Sequence, residues 1–343
     1  MEQVTFWFLK NKKNYPWREN KTPYRVWVAE VMLQQTRAEV VLEYFQRWMG
    51  AFATVEKLAN ASQQEVIKLW EGLGYYSRAR NLHAAAKEIV EKYGGQLPFE
   101  VDKLLKIKGI GPYTAGAISA FAFQKRCAFV DGNIARVVAR YYGYEECVVK
   151  NIKSVTELVE KSLPQENADS FMEGLIELGQ QVCKKKPNCI ECPLKKTCIA
   201  YKEGRQDELP LRKVKNEVFK LERMVALILC NDTLLVRKND QGKVMADLYE
   251  FPFIECKGER SVTHIKKAFS LPMELEMVLP SFQHTFTKYR VSLYPYLFFT
   301  KKLLEVKGHE WVALQNIDNL PFSSGHKRIK DYFIKEIISH SRG

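Results

Sequence analysis

The sequence predicts a multidomain fold in which an all-α domain is followed by a smaller α+β domain. Three observations predict it. From about residue 24 to 200, apolar positions recur at spacings of three and four, as in Val40, Val41, Tyr44, Phe45 and Trp48, which is the period of an amphipathic helix. Between Lys202 and Lys220 this period lapses into Glu-Gly-Arg-Gln-Asp-Glu-Leu-Pro-Leu-Arg-Lys, which reads as a linker. From Met224 onward β signals take over. The expected boundaries are 1–203 for the helical domain, 204–222 for the linker and 223–343 for the second domain. With 343 residues, 46% hydrophobic and 12% aromatic, the chain can bury two cores.

Within the helical part, breaks are expected at Asn60-Ala61-Ser62, Gly72-Leu73-Gly74, Gly94-Gly95 and Gly109-Ile110-Gly111-Pro112, where turn residues interrupt the period. In the second part, Val225-Ala-Leu-Ile-Leu-Cys230, a turn at Asn231-Asp232 and Leu234-Leu235-Val236 read as a β-hairpin, and Tyr289 to Phe299 alternates like a strand. No internal repeat or low-complexity segment is found.

Charge and cysteine usage narrow the function. Lys plus Arg number 53 against 40 Asp plus Glu, and the net charge of +13 favours a polyanionic partner, with nucleic acid the leading candidate. Phe6, Trp7, Phe8 and Leu9 are followed at once by Lys10, Lys12 and Lys13, which is not the order of a signal peptide. No run of 18 apolar residues occurs, so no membrane span is expected. Of eight cysteines, four crowd between Cys183 and Cys198, which suits a ligand cluster in a reducing compartment better than a disulfide framework.

Four features carry candidate chemistry. Glu30 sits in the apolar run from Val26 to Leu33, where desolvation would raise its pKa toward the range of a general acid at neutral pH; a structural glutamate met by Arg or helix N-terminal contacts is the alternative. The glycines in Leu105-Lys-Ile-Lys-Gly109-Ile110-Gly111-Pro112-Tyr113-Thr114-Ala115 let backbone amides converge at a helix start. With Lys106 and Lys108 they form an anion site suited to a phosphodiester, or else an ordinary connection between helices. Asp131, in Ala128-Phe129-Val130-Asp131-Gly132-Asn133, is a second acid at a helix start; it reads as an N-cap, a role compatible with catalysis. Cys183-x5-Cys189-x2-Cys192-x5-Cys198 is a metal-ligand signature open to zinc or a cubane iron-sulfur cluster. Lys184, Lys185, Lys186, Lys195 and Lys196 decorate that loop, either as phosphate contacts or as a solvated run.

Taken in order, Pro16-Trp17-Arg18, Glu30-Val-Met-Leu-Gln-Gln-Thr36, Trp70-Glu-Gly-Leu-Gly-Tyr-Tyr-Ser-Arg-Ala-Arg80, Gly109-Ile-Gly-Pro-Tyr-Thr-Ala115, Val130-Asp-Gly-Asn133 and the four cysteines resemble a MutY-type adenine DNA glycosylase of the helix-hairpin-helix superfamily, over roughly residues 16 to 203. The resemblance implies excision of adenine mispaired with 8-oxoguanine or guanine in double-stranded DNA, after the base is flipped into a pocket. It implies that Glu30 protonates the departing adenine and that Asp131 stabilises the charge developing on the sugar or bonds to it transiently. Asn133 would orient Asp131. Tyr113 stands where related bifunctional enzymes of the endonuclease III kind place a lysine nucleophile, and tyrosine forms no Schiff base, which implies a monofunctional enzyme.

The resemblance further implies that Gln35, Thr36, Leu73 and Tyr75 fill the gap in the duplex and contact the lesion, helix packing being the alternative for these residues, and that Cys183, Cys189, Cys192 and Cys198 hold one [4Fe-4S] cluster, while the amides of Gly109 and Gly111 remain the candidate phosphodiester contact. A bacterial, cytoplasmic, nucleoid-associated monomer is implied. The C-terminal part resembles a Nudix-like domain through Asp247-Leu-Tyr-Glu-Phe-Pro252, His284-Thr-Phe-Thr287 and Ser323-Ser-Gly-His-Lys327. No Arg-Glu-x-x-Glu-Glu segment occurs in residues 253–275, so lesion recognition through Phe286, Thr287 and Lys288 is expected there in place of hydrolysis.

Four positions depart from the family pattern: the first cysteine spacer is five residues and not six, Ala29 replaces serine before the glutamate, Gly179-Gln180 replaces Gly-Ala, and Lys288 replaces histidine. The spacer bears on cluster geometry and Lys288 on discrimination for 8-oxoguanine. The competing readings are a glycosylase-lyase, opposed by Tyr113; a non-catalytic DNA-binding module, opposed by the presence of both Glu30 and Asp131; and a nucleotide pyrophosphatase, opposed by the missing acidic helix.

Overall fold

The computed structural model describes residues 1–211, 218–240, 245–286 and 288–338. Thr287, one of the expected lesion contacts, lies outside the described residues. The chain divides into two compact units, one formed by Met1–Ala61 with Arg80–Val214 and the other by Ser62–Ala79 with Lys215–Gly343.

From Gln3 to Lys202 the regular structure is helical: α1 Gln3–Asn11, α2 Pro16–Glu19, α3 Pro23–Leu33, α4 Ala38–Ala51, α5 Val55–Asn60, α6 Gln63–Leu69 and α7 Ser77–Tyr93, then α8 Val101–Leu104, α9 Pro112–Phe121, α10 Gly132–Tyr142, α11 Ile152–Ser162, α12 Ala168–Gln181 and α13 Ile199–Lys202. Local chemistry sets the ends. Thr22 accepts a hydrogen bond from the Arg25 amide ahead of Pro23, which starts α3. Ser62 and Glu65 form a reciprocal capping box at α6, so the break read at Asn60-Ala61-Ser62 is a helix start. Gly143, at φ 63°, closes α10 in the left-handed conformation.

The turn between α8 and α9 holds Gly109 at φ +84°, and a Cβ there would stand 2.6 Å from Cβ of Asn81. Both constraints require glycine. Gly111, at φ −93°, caps α9 and faces open space.

The second unit contains an eight-stranded mixed sheet in the order β3-β2-β1-β7-β5, with β4 paired to β1, β6 to β7 and β8 to β2. The strands are β1 Phe219–Cys230, β2 Thr233–Lys238, β3 Tyr249–Glu250, β4 Phe253–Cys256, β5 Met273–Val278, β6 Phe282–Phe286, β7 Tyr289–Thr300 and β8 Glu310–Ala313; helices α14 Val262–Phe269 and α15 Ser324–Tyr332 come after β4 and β8 in sequence, and α6 belongs to the same unit. The hairpin read from Val225 to Val236 is present, with Cys230 opposite Thr233. β1 pairs parallel to β7 from Phe219 to Leu229 and is buried on both faces from Met224 onward. Val225, Leu227 and Leu229 join one core together with Ile329 of α15, while Met224, Ala226 and Ile228 join a second with Ile265 of α14. Burial on both sides explains why the strand reads as a continuous apolar run. Among the described residues no helix is long and apolar enough to cross a membrane.

Gly109→Ala should destabilise the helical unit by about 1–3 kcal/mol, through the positive φ and the clash with Asn81. Gly111→Ala, with open space and a negative φ, should cost less, and chemical denaturation of the two variants measures the difference.

Candidate active site and cysteine loop

α3 is buried along most of its length, and Glu30 is only 6% exposed among Val28, Ala29, Val31 and Met32. Burial pushes its carboxyl up to about 7. The Tyr113 hydrogen bond and the charge of Arg18 oppose this, while the charges of Glu173 and Asp131 add to it. Tyr113, in the first turn of α9, donates its hydroxyl to Oε2 of Glu30 at 2.6 Å. Its own pKa is driven well above the ordinary tyrosine value by burial and by Glu30, so it acts as a donor. Gly116 lets α9 close on Phe129, since a Cβ at 116 would fall 2.6 Å from that of Phe129, and the Tyr113 and Phe129 rings meet edge to face at 5.4 Å.

Asp131 is the N-cap of α10, as expected. Its Oδ1 accepts from the amides of Asn133 at 2.9 Å and Ile134 at 2.7 Å, and its Oδ2 accepts from Nδ2 of Asn133 at 2.8 Å. Burial raises its pKa against these three hydrogen bonds. Asn133 is held in turn by Arg136, whose Nη2 donates to its Oδ1 and to the Gly179 carbonyl, both at 2.8 Å, and whose Nε donates to the Cys183 carbonyl at 2.7 Å. One guanidinium therefore joins the start of α10 to the start of the cysteine loop. A side chain at Gly179 would meet Asn133 at 2.7 Å, so α12 can lie against α10 only without one.

Glu30, Tyr113, Asp131, Asn133, Gln35 and Thr36 all line one cavity of about 900 Å³. Gln35 adopts φ 56°, a left-handed conformation uncommon outside glycine, at the end of the turn that follows α3. The same cavity is lined by residues given no role above. Arg18, Lys21 and Glu173 are among them: Arg18 Nε donates to Oε2 of Glu173 at 2.8 Å, Lys21 pairs with Glu173, and Arg18 Nη2 reaches past the lining to Oε2 of the buried Glu177 at 2.6 Å. Glu173 and Glu177 are buried carboxylates in the apolar stretch Phe171-Met-Glu-Gly-Leu-Ile-Glu-Leu178, so the signal that singled out Glu30 was also present here.

The four clustered cysteines line a second, largely apolar pocket. Arg140, buried beside it, donates through Nη1 to Sγ of Cys183 at 3.3 Å and to the Lys184 carbonyl at 2.6 Å. Burial pushes the Cys192 thiol up to about 11, with Cys183, Cys198 and Cys189 adding to the rise, and Cys189 and Cys198 are raised for the same reasons. Among the described residues no three His, Cys, Asp or Glu side chains converge closely enough to hold a metal ion as they stand. Four soft donors on one largely apolar pocket, with the thiols of Cys189, Cys192 and Cys198 held protonated by burial and by neighbouring cysteines, nevertheless fit a cationic centre, whose charge would reverse that penalty.

The remaining candidates lie elsewhere. Gly109 and Gly111 occupy the α8–α9 turn. In the second unit, Leu73 is buried and Tyr75 is half exposed at φ 48°. Phe286 ends β6 with its ring 5.5 Å from that of Tyr289, and Lys288 lays its ammonium 4.8 Å over Phe219. α14, within the 253–275 stretch that lacks an Arg-Glu-x-x-Glu-Glu segment, reads Val-Thr-His-Ile-Lys-Lys-Ala-Phe and carries no acid.

Comparison with known proteins accords with both units. Residues 28–165 match the HhH-GPD superfamily of base excision DNA repair proteins, and residues 224–332 match the NUDIX domain. The chain is similar to the adenine DNA glycosylase of Buchnera aphidicola (subsp. Acyrthosiphon pisum), at 31% identity over 343 residues, covering 98% of this chain and 97% of that one. It is 37% identical over 215 residues to the human adenine DNA glycosylase, covering 59% of this chain and 39% of the human one. A thermostable thymine-DNA glycosylase structure superposes with a TM-score of 0.55 at 28% identity, over 59% of this chain and 94% of that one. A DNA-bound endonuclease III shares the fold, with a TM-score of 0.52 at 23% identity over 59% of this chain and 94% of its own. With both domains in order and similarity along nearly its whole length, the chain belongs to the adenine DNA glycosylases, enzymes of base excision DNA repair.

Proposed function

We propose that the protein is a monofunctional, monomeric enzyme that removes adenine mispaired with 8-oxoguanine or guanine in double-stranded DNA, in the cytoplasm and nucleoid of a bacterium. Residues 1–203 would form the catalytic domain and 223–343 the lesion-recognition domain, joined by 204–222. The observation that carries this reading is a buried Glu30, raised to about 7 and hydrogen-bonded by Tyr113, facing the same cavity as Asp131.

Near neutral pH a large fraction of Glu30 is protonated. Tyr113 occupies Oε2, so the acid proton is delivered from Oε1 to a ring nitrogen of the extruded adenine, which makes the base a neutral leaving group. Cleavage leaves positive charge on the sugar. Asp131, anchored by three hydrogen bonds that favour its carboxylate form, stabilises that charge or bonds to C1′ until water arrives. Glu30, having lost its proton, then serves as base for the water. Tyr113 supplies no amine, so the strand is left uncut. Gln35, Thr36, Leu73, Tyr75, Phe286, Thr287 and Lys288 are assigned to the duplex and the lesion. The amides of Gly109 and Gly111 are assigned to a phosphate.

Cys183, Cys189, Cys192 and Cys198 would hold one [4Fe-4S] cluster, which orders the lysine-bearing loop and supplies no step of base excision. Purified protein should be yellow-brown, with broad visible absorbance and stoichiometric iron and sulfide, and Cys189→Ser should lose both colour and DNA affinity. Stoichiometric zinc without iron would overturn the assignment.

Glu30→Gln should bind the mispair yet lose about a hundred- to ten-thousand-fold in single-turnover excision, and the parent rate should fall as pH rises through about 7, where the acid loses its proton. Because the folded pKa is raised, Glu30 contributes its full stability below the unfolded value near 4.5, and that contribution is lost as pH rises through about 7. Glu30→Gln should therefore be more stable than the parent at pH 8, by on the order of 2–3 kcal/mol at most, and should show little gain at pH 5. Activity of the variant within a few-fold of the parent would rule Glu30 out as the acid.

Lys288 carries a flexible ammonium where the family has a ring that donates one directed hydrogen bond, and an ammonium more readily meets a phosphate than a base edge. Lys288→His should reduce the salt dependence of duplex binding by about one phosphate contact while keeping or improving preference for the 8-oxoguanine duplex. Loss of that preference with an unaltered salt slope would show instead that Lys288 reads the base.

A further inference from the structure

The turn that carries Leu73 and Tyr75 belongs by sequence to the helical part of the chain, yet Ser62–Ala79 folds into one compact unit with the C-terminal residues. Three side chains of this segment reach that partner. Gln63 donates to Oδ2 of Asp247 at 2.7 Å. Lys68 donates to the carbonyls of Asp318 and Leu320. Glu71, whose side chain is only 6% exposed, accepts the Phe322 amide on Oε1 at 2.8 Å and pairs through Oε2 with Lys68 at 2.9 Å. Phe322 is itself fully buried, so without Glu71 its amide would lose its partner away from water.

The receiving strip is rigid. Pro321 accepts the Tyr249 amide at 2.8 Å, Ser323 donates back to Tyr249 at 3.1 Å, and Asp318 is held by the buried Lys330 at 2.6 Å. The turn is equally braced. Trp70 Nε1 donates to the Gly74 carbonyl at 3.0 Å, Arg78 Nη2 donates to the carbonyls of Leu73 and Gly74 at 3.1 and 3.0 Å, and the Tyr76 hydroxyl accepts the Gly72 amide at 3.1 Å. Two rigid pieces joined at Glu71 and Lys68 move as one.

We propose that Glu71 is a positioning residue for lesion recognition: it fastens the turn carrying Leu73 and Tyr75 to residues 318–322, so that the C-terminal domain sets where those two side chains are presented to the duplex. This rests on the assignment of Leu73 and Tyr75 to the lesion. It gives the C-terminal domain a second route to recognition, separate from the assignment of Phe286, Thr287 and Lys288.

The test compares Glu71→Ala and Glu71→Gln in the full-length protein, by hydrogen exchange resolved over residues 70–76 and by the ratio of single-turnover excision rates on adenine:8-oxoguanine and adenine:guanine duplexes. Glu71→Ala should speed exchange in the turn and lower the ratio about tenfold, while Glu71→Gln, which keeps an acceptor for the Phe322 amide, should stay within about threefold of the parent. Tyr75→Ala serves as reference. Exchange over 70–76 in Glu71→Ala equal to that of the parent, or raised evenly along the whole chain, overturns the proposal. A loosened turn with an unchanged ratio also overturns it if Tyr75→Ala lowers that ratio. If Tyr75→Ala leaves the ratio unchanged, the assignment of Tyr75 to the lesion has failed, and the fastening stands or falls on the exchange result alone.

Discussion

Burying the Glu30 carboxylate is the constraint to which the rest of the helical unit answers. A charge in an apolar helix is costly, and the chain meets that cost by letting the group hold its proton and by giving it one donor, Tyr113, which cannot itself ionise there. Two other buried acids, Glu173 and Glu177 of α12, are treated differently. Glu173 and Glu177 share the Arg18 guanidinium, with Lys21 added at Glu173, so they are neutralised by ion pairing. Asp131 is met by amides at a helix start. Three environments thus treat buried carboxyl groups of one helical unit in three ways, which is how acids close together in a fold come to hold their protons with different strength.

Close helix packing makes that arrangement possible. Gly116 admits Phe129 and Gly179 admits Asn133, each at a separation that a methyl group would forbid. Arg136 then ties Asn133 to the carbonyls of Gly179 and Cys183, and Arg140, one helical turn further along α10, holds the loop at Cys183 and Lys184. The cysteine loop and the Asp131 cap are two ends of one hydrogen-bonded assembly on α10. Damage to the loop therefore has a physical route to the cavity although no cysteine lines it.

In the second unit a sheet covered on both faces replaces the one-sided sheet of many small domains. The parallel pairing of β1 with β7 needs cover above and below, supplied by α14 and α15 with their neighbours. α14 provides Ile265 for packing, carries Lys266 and Lys267 and has no acid, so its part in this unit is structural cover for the sheet.

The sequence by itself determined the features that depend on near neighbours. Helical period, the break at Asn60-Ala61-Ser62, the Asp131 cap, the glycine turn at 109–112, the cysteine spacing and the hairpin after Met224 are all set by contacts a few residues apart, and all were legible. Glu30 was legible too, because a charge inside an apolar run is a local anomaly. Only the tertiary structure decided that Arg18 would meet Glu173 and Glu177 from more than 150 residues away, that Arg136 would bridge α10 to the cysteine loop, and that Ser62–Ala79 would fold with the C-terminal unit through Glu71 and Phe322. Such pairings leave no period and no spacing in the sequence. They arise when packing brings distant polar groups together out of water, and each group must then find whatever partner the fold has placed beside it.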